Sequence, residues 1–125
     1  MGVMRFEDLA VWNASRTLCR DVFSLLRSSS ISWDFELRQQ LNAASISTVA
    51  NIAEGFLRGS RKEFARYLRI AGGSNGEVRA LLYLASDRGY LNEATFIGLV
   101  QATNRIGRML HALEKSLRQA ASTNS

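Results

Sequence analysis

Apolar residues recur every three or four positions along four segments of the chain, which is the spacing of one face of an α-helix. The segments span about residues 7–28, 34–57, 60–87 and 92–120. Short polar or glycine-containing stretches separate them, and no stretch shows the alternation typical of a β-strand. The pattern therefore predicts an all-α chain of four helices.

Polar residues at the segment starts fit helix N-caps. Asp34 precedes the second segment and Asn92 the fourth. Ser60 precedes the third, with Glu63 three residues later as in a capping box. Residues 121–125 are expected to be frayed. Four amphipathic helices with short connections predict that the whole chain is one domain, an antiparallel up-down-up-down four-helix bundle.

The same spacing predicts which residues face the core. In the first helix they are Trp12, Ser15, Cys19, Val22, Phe23 and Leu26, and Leu18 and Leu25 widen that face. In the second helix they are Leu37, Leu41, Ala44, Ser45, Thr48 and Ile52.

The second helix has no charged residue from Gln39 through Ala53, although a surface helix normally has a charged face. Its other face carries Ala43, Ile46, Ala50, Ala53 and Leu57. The outer side of the third helix carries a small, partly apolar strip formed by Gly73, Gly76, Ala80, Tyr83 and Leu84. Scattered surface apolar residues are one interpretation. The favoured interpretation is a homo-oligomer whose subunits meet on these two faces.

Glycines interrupt the middle of the third helix at positions 72, 73 and 76. Each costs about 1 kcal/mol relative to alanine in a helix interior. We expect either a closely approaching backbone or a kink at this point.

The chain has 16 basic and 11 acidic residues, a net charge of +5 and a pI near 10.1. Its densest basic run comprises Arg58, Arg61, Lys62, Arg66 and Arg69. Arginine binds phosphate oxygens bidentately, so this stripe predicts contact with an RNA or DNA backbone without base specificity. A solvated face with intrahelical ion pairs is the alternative. That second interpretation is favoured for a further cluster of Arg105, Arg108, Lys115 and Arg118 beside Glu114.

Catalytic and metal chemistry has little support in the sequence. A single Cys19 and a single His111 exclude an internal disulfide and most metal-binding constellations, so no metal, cofactor or enzymatic activity is expected. Asn51 and Glu54 are interpreted as structural polar residues, with Glu54 spaced to pair with Arg58. No segment is long and apolar enough for a membrane helix, so a cytoplasmic location is expected.

One group of motifs resembles a known family. The motifs are Asn51-Ile52-Ala53-Glu54-Gly55, Lys62-Glu63-Phe64, Tyr67-Leu68, Gly73-Ser74 and Glu77. They resemble the bacterial four-helix-bundle family of 23S rRNA intervening-sequence proteins, and the resemblance covers about residues 6–115. It implies an antiparallel four-helix bundle that assembles into a ring-like homopentamer. A related group, the accessory variability proteins of diversity-generating retroelements, binds nucleic acid and a reverse transcriptase.

The resemblance implies no enzymatic activity, and the role of most members is undefined. This sequence departs from the family where Asn42 replaces a frequent arginine and where the loop of residues 29–33 lacks a frequent Phe-Pro. The loss of a cation at position 42 weakens the expected nucleic-acid surface. Two functions are therefore expected: nucleic-acid binding through the arginine stripe, or an adaptor for a protein partner.

Overall fold

A computed structural model describes residues 2–28 and 30–124, without the side chains of residues 121–124. A 3₁₀ turn at Phe6–Asp8 precedes four α-helices. They are α1 (Ala10–Leu26), α2 (Phe35–Leu57), α3 (Arg61–Asp87) and α4 (Glu93–Asn124). The described ranges contain no β-strand, so the all-α prediction is confirmed.

The helices form an antiparallel bundle in which each packs on its neighbours in sequence and α4 returns to α1. The diagonal pairs, α1 with α3 and α2 with α4, do not approach closely. The loop before α2 meets the loop before α4, because Ser30 Oγ donates to the Tyr90 carbonyl at 3.3 Å. The up-down-up-down arrangement expected from the short connections is therefore present.

The first and last helices have different bounds from those predicted. Leu9 has an extended backbone and separates the 3₁₀ turn from α1, which starts at Ala10 rather than at residue 7 and ends at Leu26. Asn13 stabilises this break, since its Nδ2 donates to the carbonyls of Glu7 and Leu9 at 2.8 and 3.0 Å. The helix α4 runs to Asn124, past the predicted end at residue 120, and Ser125 lies outside the described residues.

The three predicted N-caps are confirmed. Side-chain oxygens of Asp34, Ser60 and Asn92 each accept a hydrogen bond from the backbone N–H three residues later, at 3.4, 3.1 and 2.8 Å. The capping box of α3 has only this one arm, because the Glu63 carboxylate pairs with Arg66 instead.

Burial confirms the predicted core face of α2 and corrects that of α1. All six predicted residues of α2 are buried. In α1 the buried set is Val11, Ser15, Leu18, Val22 and Leu26. Trp12 and Cys19 are only half-buried, and Phe23 is 53% exposed. The prediction for Phe23 was wrong because spacing alone does not fix which edge of an apolar stripe turns inward.

The helices α2 and α3 are in close contact at Gly55. A Cβ at this position would lie 2.5 Å from Tyr67 Cβ and 3.2 Å from a ring carbon of Phe64. Only glycine therefore fits at this position without moving the two helices apart.

The three glycines of α3 behave differently from Gly55. The helix continues without interruption through them, and an added Cβ at position 72, 73 or 76 would meet nothing within 4 Å. The close approach expected at these glycines is therefore absent within the subunit, and the kink stays a prediction.

We expect Gly55→Ala to lower the free energy of unfolding by about 1–3 kcal/mol, since the methyl group forces two packed helices apart. Gly98→Ala in α4 is the matched control, because its Cβ meets nothing within 4 Å. The control should gain about 0.5–1 kcal/mol from reduced chain entropy. Urea unfolding measures both, and equal stability changes in the two variants would contradict this account.

A polar cluster ties the two loops at one end of the bundle. Tyr90 Oη and Arg88 Nη1 both donate to Asp34 Oδ2, at 2.7 and 2.9 Å. The hydrogen bond from Tyr90, followed by those from Arg88 and the Leu37 N–H, holds the pKa of the Asp34 carboxyl below its usual range. Burial and the neighbouring carboxylate raise the pKa of Tyr90.

Because its pKa is lower in the folded state, ionised Asp34 stabilises the fold at neutral pH, and this contribution disappears as pH falls through the folded-state pKa. Asp34→Asn should therefore melt at a lower temperature than the wild type at neutral pH. The difference between the two proteins should shrink as the pH falls through the acid range, where Asp34 becomes protonated. Thermal unfolding across this range measures the effect, and a difference that is constant with pH would contradict it.

Candidate nucleic-acid interface

The five basic residues of the predicted stripe are all exposed, but two of them are held by local contacts. Arg58 and Arg66 flank Tyr67, with guanidinium carbons 5.1 and 4.7 Å from its ring centroid. Each also pairs within one helical turn, Arg58 with Glu54 at 2.8 Å and Arg66 with Glu63 at 3.0 Å. The Arg66 contact lowers the pKa of the Glu63 carboxyl. These two guanidiniums are largely neutralised by their neighbours.

Arg61 and Lys62 are the less restrained members of the stripe. Neither has a hydrogen bond or ion pair with any other described residue. Both line an open depression of about 270 Å³ between the start of α3 and the last turns of α4. Arg69 and Arg118 line the same depression, so it gathers four cations from two helices.

One carboxylate fixes the two inner arginines. Glu114 is only 7% exposed, and its Oε2 lies 2.9 Å from Arg69 Nη1 and 3.6 Å from Arg118 Nε. The predicted pairing of Glu114 with Arg118 is confirmed, but the link to Arg69 was missed. Predicting the Arg69–Glu114 pair would have required the register of α3 against α4. The spacing of residues within either helix does not determine that register.

A second, larger depression of about 500 Å³ continues between α3 and α4. Three cationic or titratable side chains line it: Arg79, Arg108 and His111. The glycines 72, 76 and 107 line it too, so no side chains fill the space between the helices there.

Asn75 forms the buried polar floor of this second depression. It is 5% exposed, and its Nδ2 donates to the Thr103 carbonyl at 2.9 Å. Its Oδ1 is buried and has no hydrogen-bond partner among the described residues. Arg79 is oriented by a hydrogen bond of 2.8 Å to Asn104 Oδ1.

We call the two depressions together the α3–α4 groove. Its cations are Arg61, Lys62, Arg69, Arg79, Arg108 and Arg118. No carboxylate is among the described residues that line either part. At about 1.5 Å per helical residue, the α3 cations extend over roughly 27 Å. A row of cations this long can contact several phosphates of an extended polyanion, whereas a single small anion would contact only one or two of them.

The residues predicted for subunit contact lie on one side of α2 and, in part, on α3. Ala43, Ile46, Ala50 and Leu57 are exposed and Ala53 is half-buried. On α3, Gly73, Ala80 and Leu84 are exposed. Gly76 turns toward α4, where it lines the groove, and Tyr83 packs edge-on against Phe96 with ring centroids 5.0 Å apart.

Two residues that the prediction omitted complete this side of α3. Helical spacing places Ile70, which is 40% exposed, one turn before Gly73, and the exposed Glu77 between Gly73 and Ala80. A hydrogen bond of 2.8 Å between Ser47 and Ser74 hydroxyls joins the two helices beside them. We call the exposed residues of both helices the outer face.

The remaining candidate residues have local roles. Asn51 Nδ2 donates to the carbonyl and hydroxyl of Ser47 at 2.8 and 3.0 Å, one turn earlier in α2. Cys19 Sγ contacts Ser45 Oγ at 3.6 Å. No group of three or more potential metal ligands occurs among the described residues. None of the described helices has the length and apolarity needed to cross a membrane.

Comparisons with known proteins agree with this architecture. A crystal structure of a protein of unknown function from the S23 ribosomal protein family of Bacteroides thetaiotaomicron VPI-5482 has the same fold, with a TM-score of 0.76 at 20% identity. The match covers 84% of this chain and 95% of that chain. No curated protein matches the sequence. The sequence model of the 23S rRNA-intervening sequence protein family matches residues 7–112, and the chain therefore belongs to that family.

Proposed function

We propose that the protein is a non-enzymatic, cytoplasmic homo-oligomer that binds RNA or DNA through the α3–α4 groove. The observation that carries this proposal is the convergence of Arg61, Lys62, Arg69 and Arg118 around one depression. Among the described residues, the buried Glu114 is the carboxylate that forms ion pairs with two of these cations, Arg69 and Arg118. Two of the four cations have no partner among the described residues, so a phosphate can bind them without breaking an ion pair.

The groove favours backbone contact over base reading. Guanidinium and ammonium groups bind phosphate oxygens, which carry no sequence information directly. Of the two aromatic residues within the basic run, Tyr67 is covered by Arg58 and Arg66, and Phe64 packs edge-on against Phe56. Binding at the groove is therefore expected to depend strongly on salt and weakly on sequence.

Assembly would multiply this weak patch. The exposed outer-face positions of α2, together with the half-buried Ala53, recur at alternating intervals of three and four residues, which is the spacing of a coiled-coil seam. A ring of subunits joined through this face repeats the groove around its circumference, so one strand can engage several copies. The resemblance of the sequence motifs implies a closed homopentamer, and that subunit number is part of our proposal.

A protein-partner adaptor is the second candidate function. The observation that favours it is the uncharged α2 side of the outer face, where Ile46 is 49% and Leu57 is 67% exposed. An apolar surface of this kind can bind another protein as readily as a second copy. A reverse transcriptase is one partner class suggested by the related retroelement proteins.

Reversing the charge of the two unpaired cations tests the groove. Arg61→Glu with Lys62→Glu should weaken binding of a fluorescent RNA by at least about tenfold and lower the slope of log affinity against log salt concentration by about two. Arg20→Glu with Arg105→Glu is the matched control. It changes the net charge by the same amount at exposed positions without a partner among the described residues.

Fluorescence anisotropy at two salt concentrations measures both double variants. Equal weakening by the two would show that net charge alone acts, and would contradict binding at the groove. The adaptor function would be favoured if the wild type does not bind nucleic acid but associates with a protein in a way that does not depend on salt.

Placing a charge on the outer face tests the assembly. Ala50→Arg and Ala80→Arg should each reduce the oligomer to monomers, since an unpaired guanidinium would be buried at a subunit contact. Ala112→Arg, at an exposed position of α4, should leave assembly unchanged. Light scattering measures the mass, and circular dichroism checks that helices persist. A monomeric wild type, or outer-face variants that assemble normally, would contradict this interface.

A further inference from the structure

Three large aromatic side chains are exposed at the end of the bundle opposite Arg61 and Arg118. Phe23 is 53% exposed, Trp33 is 73% exposed and Phe35 is 69% exposed. Phe23 lies in the last turns of α1, Phe35 begins α2, and Trp33 lies in the loop between them. Because the two helices are antiparallel neighbours, their joined ends bring Phe23 and Phe35 to one cleft, whereas Trp33 packs on Tyr90.

Phe23 and Phe35 line a cleft of about 200 Å³ between α1 and α2. Four polar side chains share its walls: the guanidinium groups of Arg27 and Arg38 and the carboxamides of Gln39 and Asn42. No carboxylate is among the described residues that line the cleft. It therefore combines flat apolar surfaces, positive charge and amide groups in one small volume. We call it the aromatic–arginine cleft.

Local contacts hold these groups in place while leaving them accessible. The Arg27 guanidinium carbon lies 5.8 Å from the Phe23 ring centroid. Arg38 Nη1 donates to the Ser32 carbonyl at 2.8 Å. Trp33 packs edge-on against Tyr90 with ring centroids 5.9 Å apart.

The chemistry of the cleft matches an unstacked nucleobase. Bases without a neighbour stack on aromatic rings and guanidinium planes, and their edges accept and donate hydrogen bonds that carboxamides can satisfy. Two arginines beside the rings complement the phosphates that flank such a base. A duplex keeps its bases stacked on one another, so it cannot use the rings in this way.

We infer that the aromatic–arginine cleft binds a base of single-stranded RNA. This inference rests on the proposed function, because it adds a base-stacking site to a protein that binds the backbone elsewhere. The positive charge and the absence of a lining carboxylate favour RNA over a protein partner. An apolar side chain inserted by a protein partner would form no ion pair with Arg27 or Arg38. The cleft gives the protein a preference for single strands that the α3–α4 groove alone does not supply.

Replacing both rings by leucine tests the inference. Phe23→Leu with Phe35→Leu keeps apolar bulk at exposed positions, so the fold should persist, but removes the stacking surfaces. Affinity for a fluorescent single-stranded RNA should fall by about tenfold, while affinity for an RNA duplex of equal length stays within about twofold. Ile97→Ala is the control, because it removes exposed apolar surface from α4, away from the cleft.

A spectroscopic readout separates stacking from affinity. A 2-aminopurine base in the single strand should change its fluorescence on binding to the wild type, and this change should be lost in the double-leucine variant at saturating protein.

The outcomes distinguish failure of the cleft from failure of the groove. If the wild type binds both RNAs and the double-leucine variant binds each equally well, the cleft inference is overturned while the groove stands. Equal weakening for single strand and duplex also overturns it. If the wild type binds neither RNA, the proposed function fails and the cleft inference fails with it.

Discussion

The close contact of α2 with α3 at Gly55 sets the geometry of the basic end of the bundle. With no side chain at that position, Tyr67 Cβ can pack against the α2 backbone, and the tyrosine ring extends between Arg58 and Arg66. The connection is short because Gly59 adopts a φ of +84° and Ser60 caps α3 at once. Arg61 and Lys62 therefore lie in the first turn of α3, beside the C-terminal part of α4.

The packing of α3 on α4 adds the second half of the groove. Glu114 is buried between the helices, and burying a lone carboxylate would be unfavourable. Arg69 and Arg118 offset that penalty, so the ion pairs that make the helix contact tolerable also concentrate positive charge at its rim. The residues that stabilise the contact between α3 and α4 thus also belong to the proposed binding surface.

The glycines of α3 connect stability to function. A Cβ added at any of the three would contact nothing within 4 Å in the subunit. Close packing within the subunit therefore does not offset the helix stability that glycine loses relative to alanine. Gly72 and Gly76 leave the groove open beside the buried Asn75, and Gly73 adds no side chain to the outer face.

The structure also suggests a role for Asn42. The sequence suggested that it weakens nucleic-acid binding, whereas the structure places it in the aromatic–arginine cleft, where a carboxamide can contact a base edge.

The sequence by itself determined the four helices, their caps and the buried face of α2, because helical spacing and N-cap chemistry act within a few residues. It also located the basic run and the family motifs. Only the tertiary structure decided which edge of α1 turns inward, leaving Phe23 exposed, and which cations meet across α3 and α4. Those outcomes depend on the rotation and register of helices distant in sequence, and local periodicity contains neither.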